Sequence, residues 1–446
     1  MKSFAWMNSS APDRPSDAAP AQRLLVFTRY PQAGKAKTRL IPALGEEGAA
    51  NLHRYMAEHA IAQARKLRQL MPLSIEVWFT GASTEEMQAW LGADLDYQLQ
   101  PDGDLGDRLI HAFQAAFESG ATRTVVIGSD CPLLDAVLLK QAFDKLARAD
   151  LVLGPSTDGG YYLLGSRQFT PQLFQGIRWS TAEVLAQTLA IAQQLRLQTS
   201  QLYPLSDVDY SDDLPVWEAA TAKISVIIPV LNEAAHLEQT LAAAQTGSNV
   251  ELIVVDAGSQ DSSVAIAQAA GAHVLSTTPG RAHQMNAGAA IATGEILLFL
   301  HADTCLPVGY DTQARYLLAQ PKVIAGAFDL QINHTTPSIR FVEWGVRQRS
   351  RWLQLPYGDQ AIFLKTKVFR ALDGFPKQPI MEDFALVKQL QKRGKIAIAP
   401  LTVQTSGRRW QKLGVLKTTL LNQAIVLGYY LGIPTERLAR WYRKAK

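Results

Sequence analysis

The chain has 446 residues, 47% hydrophobic and 19% charged, with a formal net charge of +4. That length exceeds one ordinary core and predicts two or three domains, and the mix argues against a wholly disordered chain. So small a net charge gives no ground for a nucleic-acid partner. Two cysteines in different halves, Cys131 and Cys305, argue against a disulfide framework and fit a reducing cytoplasm.

Residues 1–22 are rich in Ser, Pro and Ala and lack an apolar run of signal-peptide length, so they read as a flexible leader. Short apolar runs follow, at Leu24–Tyr30, Ile75–Gly81, Thr124–Asp130 and Leu151–Pro155. A stretch with helical spacing from Asp212 to Lys223, capped by Ser211 or Asp212, closes a first domain of residues 23–222. A new series then begins: Ile224–Asn232, Glu251–Ser259, His273–Thr277, Glu295–Asp303 and Val323–Leu330. It belongs to a second domain of residues 223–446, and no Gly/Ser-rich or Pro-rich linker separates the two. Buried strands alternating with helices predict an α/β fold, with a mostly parallel sheet covered on both faces in each half.

Ligands of open α/β sheets bind beyond the carboxyl ends of the strands. Polar residues gather there in the second half: Pro229, Asn232 and Glu233 after its first strand, Asp256 after its second, and His301 and Asp303 after its fourth. Any one such site also reads as a helix cap. Three in one sheet read as a ligand site.

The segments ISVIIPVLNE, VVDAGSQDSS, GRAHQMNAGA, FLHADT, PYGDQAIF and MEDFAL, in this order, resemble the family 2 glycosyltransferases of GT-A fold over about Lys223 to Trp410. Within them the chain is most similar to the radical-SAM/selenodomain-associated transferase 2 group, which is linked to arsenosugar biosynthesis. The resemblance implies inverting transfer from a nucleoside-diphosphate sugar to an acceptor hydroxyl, with a divalent metal, Mg or Mn, on the diphosphate. The family's Asp-x-Asp motif stands here as His301-Ala302-Asp303. Asp303 is then the expected metal ligand, and His301 is a second ligand or merely a polar strand end. Asp256 is expected at the base or ribose and Arg281 near the nucleotide, unless Arg281 pairs with an acid at a helix start. Asn286 and Asp359 fall in matching motifs and are expected to touch substrate. Asp383 stands at the position of the general base, with Glu382 as fallback. Arg409 is expected to clamp diphosphate and Trp410 to stack on the acceptor. Ser406 stands where polymerising members carry Gln, which argues against processive synthesis.

In the first half, the loop Thr28–Leu40 carries Arg29, Lys35, Lys37 and Arg39 without Walker spacing, a composition suited to phosphate or to an ordinary basic surface. With DGDLGDRL, IGSDCP, LGPSTDGGYYLLG and LSDVDYSDDL, it resembles the nucleotidyltransferase-like GT-A proteins and the transferase 1 group of the same association. The whole chain then reads as two tandem GT-A domains of nucleotide-diphospho-sugar transferase type. Asp130 and Asp209 are candidates to bridge a metal, unless Asp209, with Asp207, only caps the following helix. Asp158, Gly159 and Gly160 are expected at the ligand, where glycines permit close backbone approach. The group's usual glycine-rich loop is altered, so three readings stay open: nucleotidyl transfer making the donor, a non-catalytic nucleotide module, and a bifunctional enzyme.

No run is long and apolar enough to span a membrane; Val415–Ile433 comes nearest and is interrupted by Lys417 and Asn422. Arg408 to Lys446 holds nine Lys or Arg against one acid, Glu436. It reads as a helix packed on the catalytic domain with a solvated basic tail, or as an interfacial helix on anionic lipid. The expected location is cytoplasmic, with the inner membrane surface as the alternative, and the acceptor a small molecule or a lipid.

Overall fold

A computed structural model describes residues 21–333 and 336–444. Most of the expected leader, 1–20, and the last two residues lie outside the described residues, as does the side chain of Arg409. The chain divides into two compact units, Met1–Cys131 with Leu138–Leu205, and Pro132–Val137 with Ser206–Lys446.

The first unit carries strands β1 (Gln22–Arg29), β2 (Ser74–Thr80), β3 (Asp96–Leu99), β4 (Arg123–Ile127), β5 (Leu151–Pro155), β6 (Tyr161–Ser166) and β7 (Thr199–Gln201). Their order is β3-β2-β1-β4-β6-β5-β7. β6 runs antiparallel to both neighbours, and the other pairings are parallel. Its helices are α1 (Ile41–Leu70), α2 (Thr84–Leu91), α3 (Leu105–Glu118), α4 (Ala136–Lys145) and α5 (Val184–Gln194). The helix signals are local ones. Ser83 and Asp104 each accept the N3 backbone N–H while Glu86 and Asp107 reach back, so α2 and α3 start with complete capping boxes.

Helix α6 (Leu214–Thr221) follows a 3-10 turn at Ser211–Asp213. The cap is Asp213, not Ser211 or Asp212, and its carboxylate is turned back to accept the N–H groups of Asp209 and Tyr210 at 3.0 and 2.8 Å. α6 packs on α10 (Tyr310–Ala319) within the second unit.

The second sheet holds β8 (Ile224–Val230), β9 (Val250–Asp256), β10 (His273–Ser276), β11 (Ile296–Phe299), β12 (Thr304–Cys305), β13 (Val323–Asn333), β14 (Phe363–Lys365) and β15 (Lys395–Ser406). The order is β10-β9-β8-β11-β14-β13-β15-β12. Around it lie α7 (Ala234–Ala244), α8 (Ser263–Ala269), α9 (Arg281–Ile291), α11 (Pro337–Trp352), α12 (Thr366–Arg370), α13 (Glu382–Gln391), α14 (Arg408–Leu413), α15 (Val415–Tyr430) and α16 (Thr435–Lys444).

β8 explains itself. Ile224, Val226 and Ile228 face one buried cluster while Ile227 faces another, so both sides of the strand are covered. Pro229 lies inside β8, opposite Val255, rather than beyond the strand end. Gly288 lets α9 close on this sheet: a Cβ there would stand 2.6 Å from Ile227 Cγ2. The expected α/β fold is thus present in each unit, as one mixed sheet with its own helices.

Candidate functional site

The loops after β8 and β9 are tied to each other. Asn232, at φ 55°, donates its N–H to Ser259 Oγ at 2.9 Å and accepts the Gln260 N–H at 2.8 Å. The buried Asp256 carboxylate accepts the N–H groups of Gly258 and Ser259 at 2.9 and 3.0 Å. It therefore shapes the loop that faces the strand ends. Glu233 holds its N–H on Ser263 Oγ and turns its carboxylate outward to Arg408.

Arg408 is the residue that sequence reasoning missed. Its Nη2 lies 2.8 Å from Glu233 Oε2 and 2.9 Å from Asp303 Oδ2. The motif pointed to Arg409 instead. The start of α14 supplies this cation to two acids that lie 175 and 105 residues away in sequence. Trp410 is half-buried and packs against the core, which does not make it a free stacking platform.

A pocket beside this pair is lined by Arg281, His301, Gly358, Glu382 and Asp383 with apolar Met285, Phe299, Ile362 and Phe375. Three elements bring the acids, the histidine and the arginine together: the loop after β11, the N-terminus of α9 and the N-terminus of α13. Met381, at φ 67°, turns the chain into α13 so that Glu382 and Asp383 occupy its first turn. Asp383 accepts the Gly358 N–H on Oδ2 and the Phe384 N–H on Oδ1, both at 2.7 Å. Gly358 leaves room for this contact: a Cβ would stand 3.0 Å from His301 Nε2 and 3.2 Å from Asp383 Oδ2, so one of those side chains would have to shift.

The charges in the pocket are unequal. Burial and then the Arg281 guanidinium push His301 down to about 4, against Asp303 and Asp383. Its imidazole is neutral at pH 7 and keeps a lone pair. Burial and the neighbouring Asp383 push Glu382 above the ordinary carboxylate range, while Arg281, with Nη1 3.8 Å away, offsets part of this. Arg281 thus does meet an acid at a helix start. Asp359, in the 3-10 turn Gly358–Gln360, is pushed up to about 6 by burial, and its Oδ1 has no partner. Asn286 has spent its amide on the backbone of Phe375, donating to its carbonyl and accepting its N–H, both at 2.9 Å. That leaves it pinning the Phe375 loop.

In the first unit, Lys37 (φ 46°) puts Nζ 3.3 Å from Asp130 Oδ2. Burial opposes ionisation of Asp130, but Lys37 prevails and holds it below the ordinary range. Arg29 donates to the Lys35 carbonyl, and the buried His53 donates Nε2–H to the Arg29 carbonyl at 2.8 Å. Arg39 is exposed in the turn Thr38–Leu40. Asp158 accepts from Ser156 Oγ and from the Gly160 N–H, closing its own turn. Gly159, at φ +93°, is needed because a Cβ would lie 2.2 Å from the Ala182 carbonyl oxygen, so the close approach there is by protein backbone. Asp209 falls in the second unit and donates its N–H to Asp213. Among the described residues, no three potential ligands converge on a metal site.

Residues 63–181 match the family described as an uncharacterized protein conserved in bacteria, DUF2064, and residues 225–370 match glycosyl transferase family 2. A phosphoenolpyruvate guanylyltransferase of Chloroflexus aggregans is 26% identical over 27% of this chain and 59% of its own length. A PGL/p-HBAD biosynthesis glycosyltransferase of Mycobacterium bovis is 40% identical over 22% of this chain and 41% of its own length. A solved structure from Desulfovibrio desulfuricans G20, assigned as a nucleotide-diphospho-sugar transferase, is 35% identical, covering 44% of this chain and 86% of that one, with a TM-score of 0.42. The chain spans between 27% and 59% of the length of these and other curated relatives it matches. The chain therefore joins a region that matches DUF2064 to a region that matches glycosyl transferase family 2.

Proposed function

We propose that the second unit transfers a glycosyl group from a nucleoside-diphosphate sugar to an acceptor hydroxyl, with inversion at the anomeric carbon. The observation that carries this reading is the pocket in which Asp383, His301, Arg281 and Glu382 meet. Inversion needs one base on the acceptor side. Asp383 is held by two backbone N–H groups in a fixed orientation, and it takes the acceptor proton as the oxygen attacks. Glu382, raised by burial and by Asp383, holds its proton more firmly, so less of it stands as the carboxylate that could accept one. Arg281, more than half exposed at the mouth, offers its cation to the diphosphate.

A divalent metal, Mg or Mn, suits Asp303. That carboxylate already takes positive charge, in the form of the Arg408 guanidinium, and His301 nearby is neutral. Such an ion takes oxygen ligands, of which Asp303 would supply one. Bound there, a divalent ion would offset charge on the leaving diphosphate. Arg408, which pairs with Asp303 and Glu233, would add a second positive charge at the same place.

Two readings stand for the first unit: nucleotidyl transfer that makes the activated donor, and a non-catalytic nucleotide module. The Lys37–Asp130 pair at the end of β4 supports a nucleotide phosphate site in either case. The chain as a whole is then a bifunctional transferase or a transferase with a binding module. Among the described residues, no helix is long and apolar enough to cross a membrane. A cytoplasmic setting, with contact at the inner membrane surface and a small-molecule or lipid acceptor, fits the basic C-terminal helices.

Incubating the full chain with nucleotide sugars and Mn tests the assignment. Release of nucleoside diphosphate that needs an acceptor supports it. Pyrophosphate release from a nucleoside triphosphate and a sugar phosphate, with no donor cleavage, contradicts it.

A further inference from the structure

The second unit leaves large apolar side chains in water on two helices that pack side by side, α11 and α15. On α11, Phe341, Trp344 and Trp352 are spaced at 3, 8 and 11 residues and share one outward face, and Trp352 is 80% exposed. Phe341 and Trp344 stack on each other, with ring centroids 5.6 Å apart. The inner side of the same helix, at Ile339, Val342 and Val346, meets the core. α15 repeats the arrangement. Ile425 and Thr418 are buried, while Leu416, Leu420 and Leu427 stand outward, Leu416 at 73% exposure. An ordinary surface helix turns its polar face to solvent. These two turn aromatic and leucine faces to it.

The charge around them has one sign. Residues 415–444 carry five Lys or Arg against Glu436 alone, and Arg437, Arg440, Arg443 and Lys444 are exposed on α16. α11 carries four Arg against Glu343; Arg347 and Arg351 share Asp329, which leaves the helix net positive. Apolar anchors ringed by cations complement an anionic lipid interface, where aromatic rings and arginine stems sit at the headgroup level. α15 also reaches the site. Tyr429 and Tyr430 pack edge-on against Phe384, with centroids 5.4 and 5.5 Å away, and Phe384 follows Asp383.

We propose that α11, α15 and α16 form one docking face for an anionic bilayer, which holds the pocket of the glycosyl-transfer reading against the membrane surface. The proposal rests on that reading for its purpose, though not for its chemistry. α11 is a full partner in the face, so attachment is not a property of the basic C-terminus alone.

The test is flotation of the full chain with phosphatidylcholine vesicles, with and without phosphatidylglycerol, at low and physiological salt. Binding is expected only with the anionic lipid, and weaker as salt rises. Phe341→Ser with Trp344→Ser, and separately Leu416→Gln with Leu420→Gln, are each expected to lower binding about tenfold or more. These side chains are solvent-exposed, and unchanged melting curves and donor cleavage without vesicles verify that the variants are folded. Absence of wild-type binding at low salt overturns the proposal. So does binding that ignores the α11 pair and is lost only with Arg440→Gln and Arg443→Gln. A dimer in sedimentation velocity that the leucine pair dissociates, without vesicle binding, would assign the face to a second copy. If vesicles bind as expected but no nucleotide sugar is cleaved, the docking face stands and the glycosyl-transfer reading falls.

Discussion

Counted within each unit, the strands of both sheets run in the order 3-2-1-4-6-5-7, with β12 added at the far edge of the second. The sixth strand is antiparallel to its neighbours in both. Each fourth strand leads to an acid, Asp130 in one and Asp303 in the other, and each acid meets a cation. The source of that cation differs. Lys37 comes from the loop after the first strand, Arg408 from the helix after the last. The helix between the sixth and seventh strands differs more. α13 opens with the buried Glu382 and with Asp383 in the pocket. α5 opens after Glu183, which is exposed and pairs with Arg178. The scaffold fixes where charge can gather, and the loops decide what chemistry is done there.

The largest effect expected from this contrast is at Asp383. Asp383→Asn keeps the shape and both N–H contacts' neighbours while removing basicity, so turnover falls about 100-fold or more with donor affinity within a few-fold. Steady-state kinetics with a parallel donor-binding isotherm checks this, and near-normal turnover moves the role to Glu382.

Asp359 comes next. Burial holds its folded pKa at about 6, above the ordinary 3.8. The folded state therefore binds this proton more firmly than the unfolded chain, and the associated stability is full below the ordinary value and is lost as pH rises through about 6. Asp359→Asn stays neutral and removes that loss, worth about 3 kcal/mol at most. Melting temperatures of both proteins from pH 4 to 8 should diverge, with the variant gaining on the wild type as pH rises. Parallel curves contradict the assignment.

A smaller effect is expected at Arg408. Arg408→Gln frees Asp303 and Glu233, so Mn binds about tenfold tighter to the protein alone, read by the loss of the free-ion signal in electron paramagnetic resonance. Weaker Mn binding would mean that Arg408 supports the acid rather than competing for it. Smallest of all is the effect of Asp130→Asn on donor cleavage, expected within about twofold, since the pocket of the second unit is lined by none of the first unit's residues.

Much of this was legible in sequence because it is local. Strands buried on both faces leave unbroken apolar runs such as Ile224–Val230, and the acids beyond them stand out. Asp383 stood out by its place in the segment MEDFAL, beside the plainer reading of an acidic helix start. What failed was what depends on contacts distant in sequence. Asn286 looked like a substrate contact until its amide was found on Phe375, 89 residues away. Gly159 looked like a ligand-side glycine, and the backbone it admits is Ala182. Arg408 was hidden because nothing in SGRRW tells which arginine faces Asp303. The outward Phe341, Trp344 and Trp352 were hidden because a helical apolar period does not say which side the core lies on.

The account's central claim is that donor cleavage belongs to the second unit alone. It is tested most directly by nucleoside-diphosphate release from a nucleotide sugar and acceptor in the presence of Mn, with wild type, Asp303→Asn and Asp130→Asn side by side. The account predicts that metal-stimulated release is lost in Asp303→Asn and kept in Asp130→Asn. Release that survives in Asp303→Asn and disappears in Asp130→Asn would contradict it.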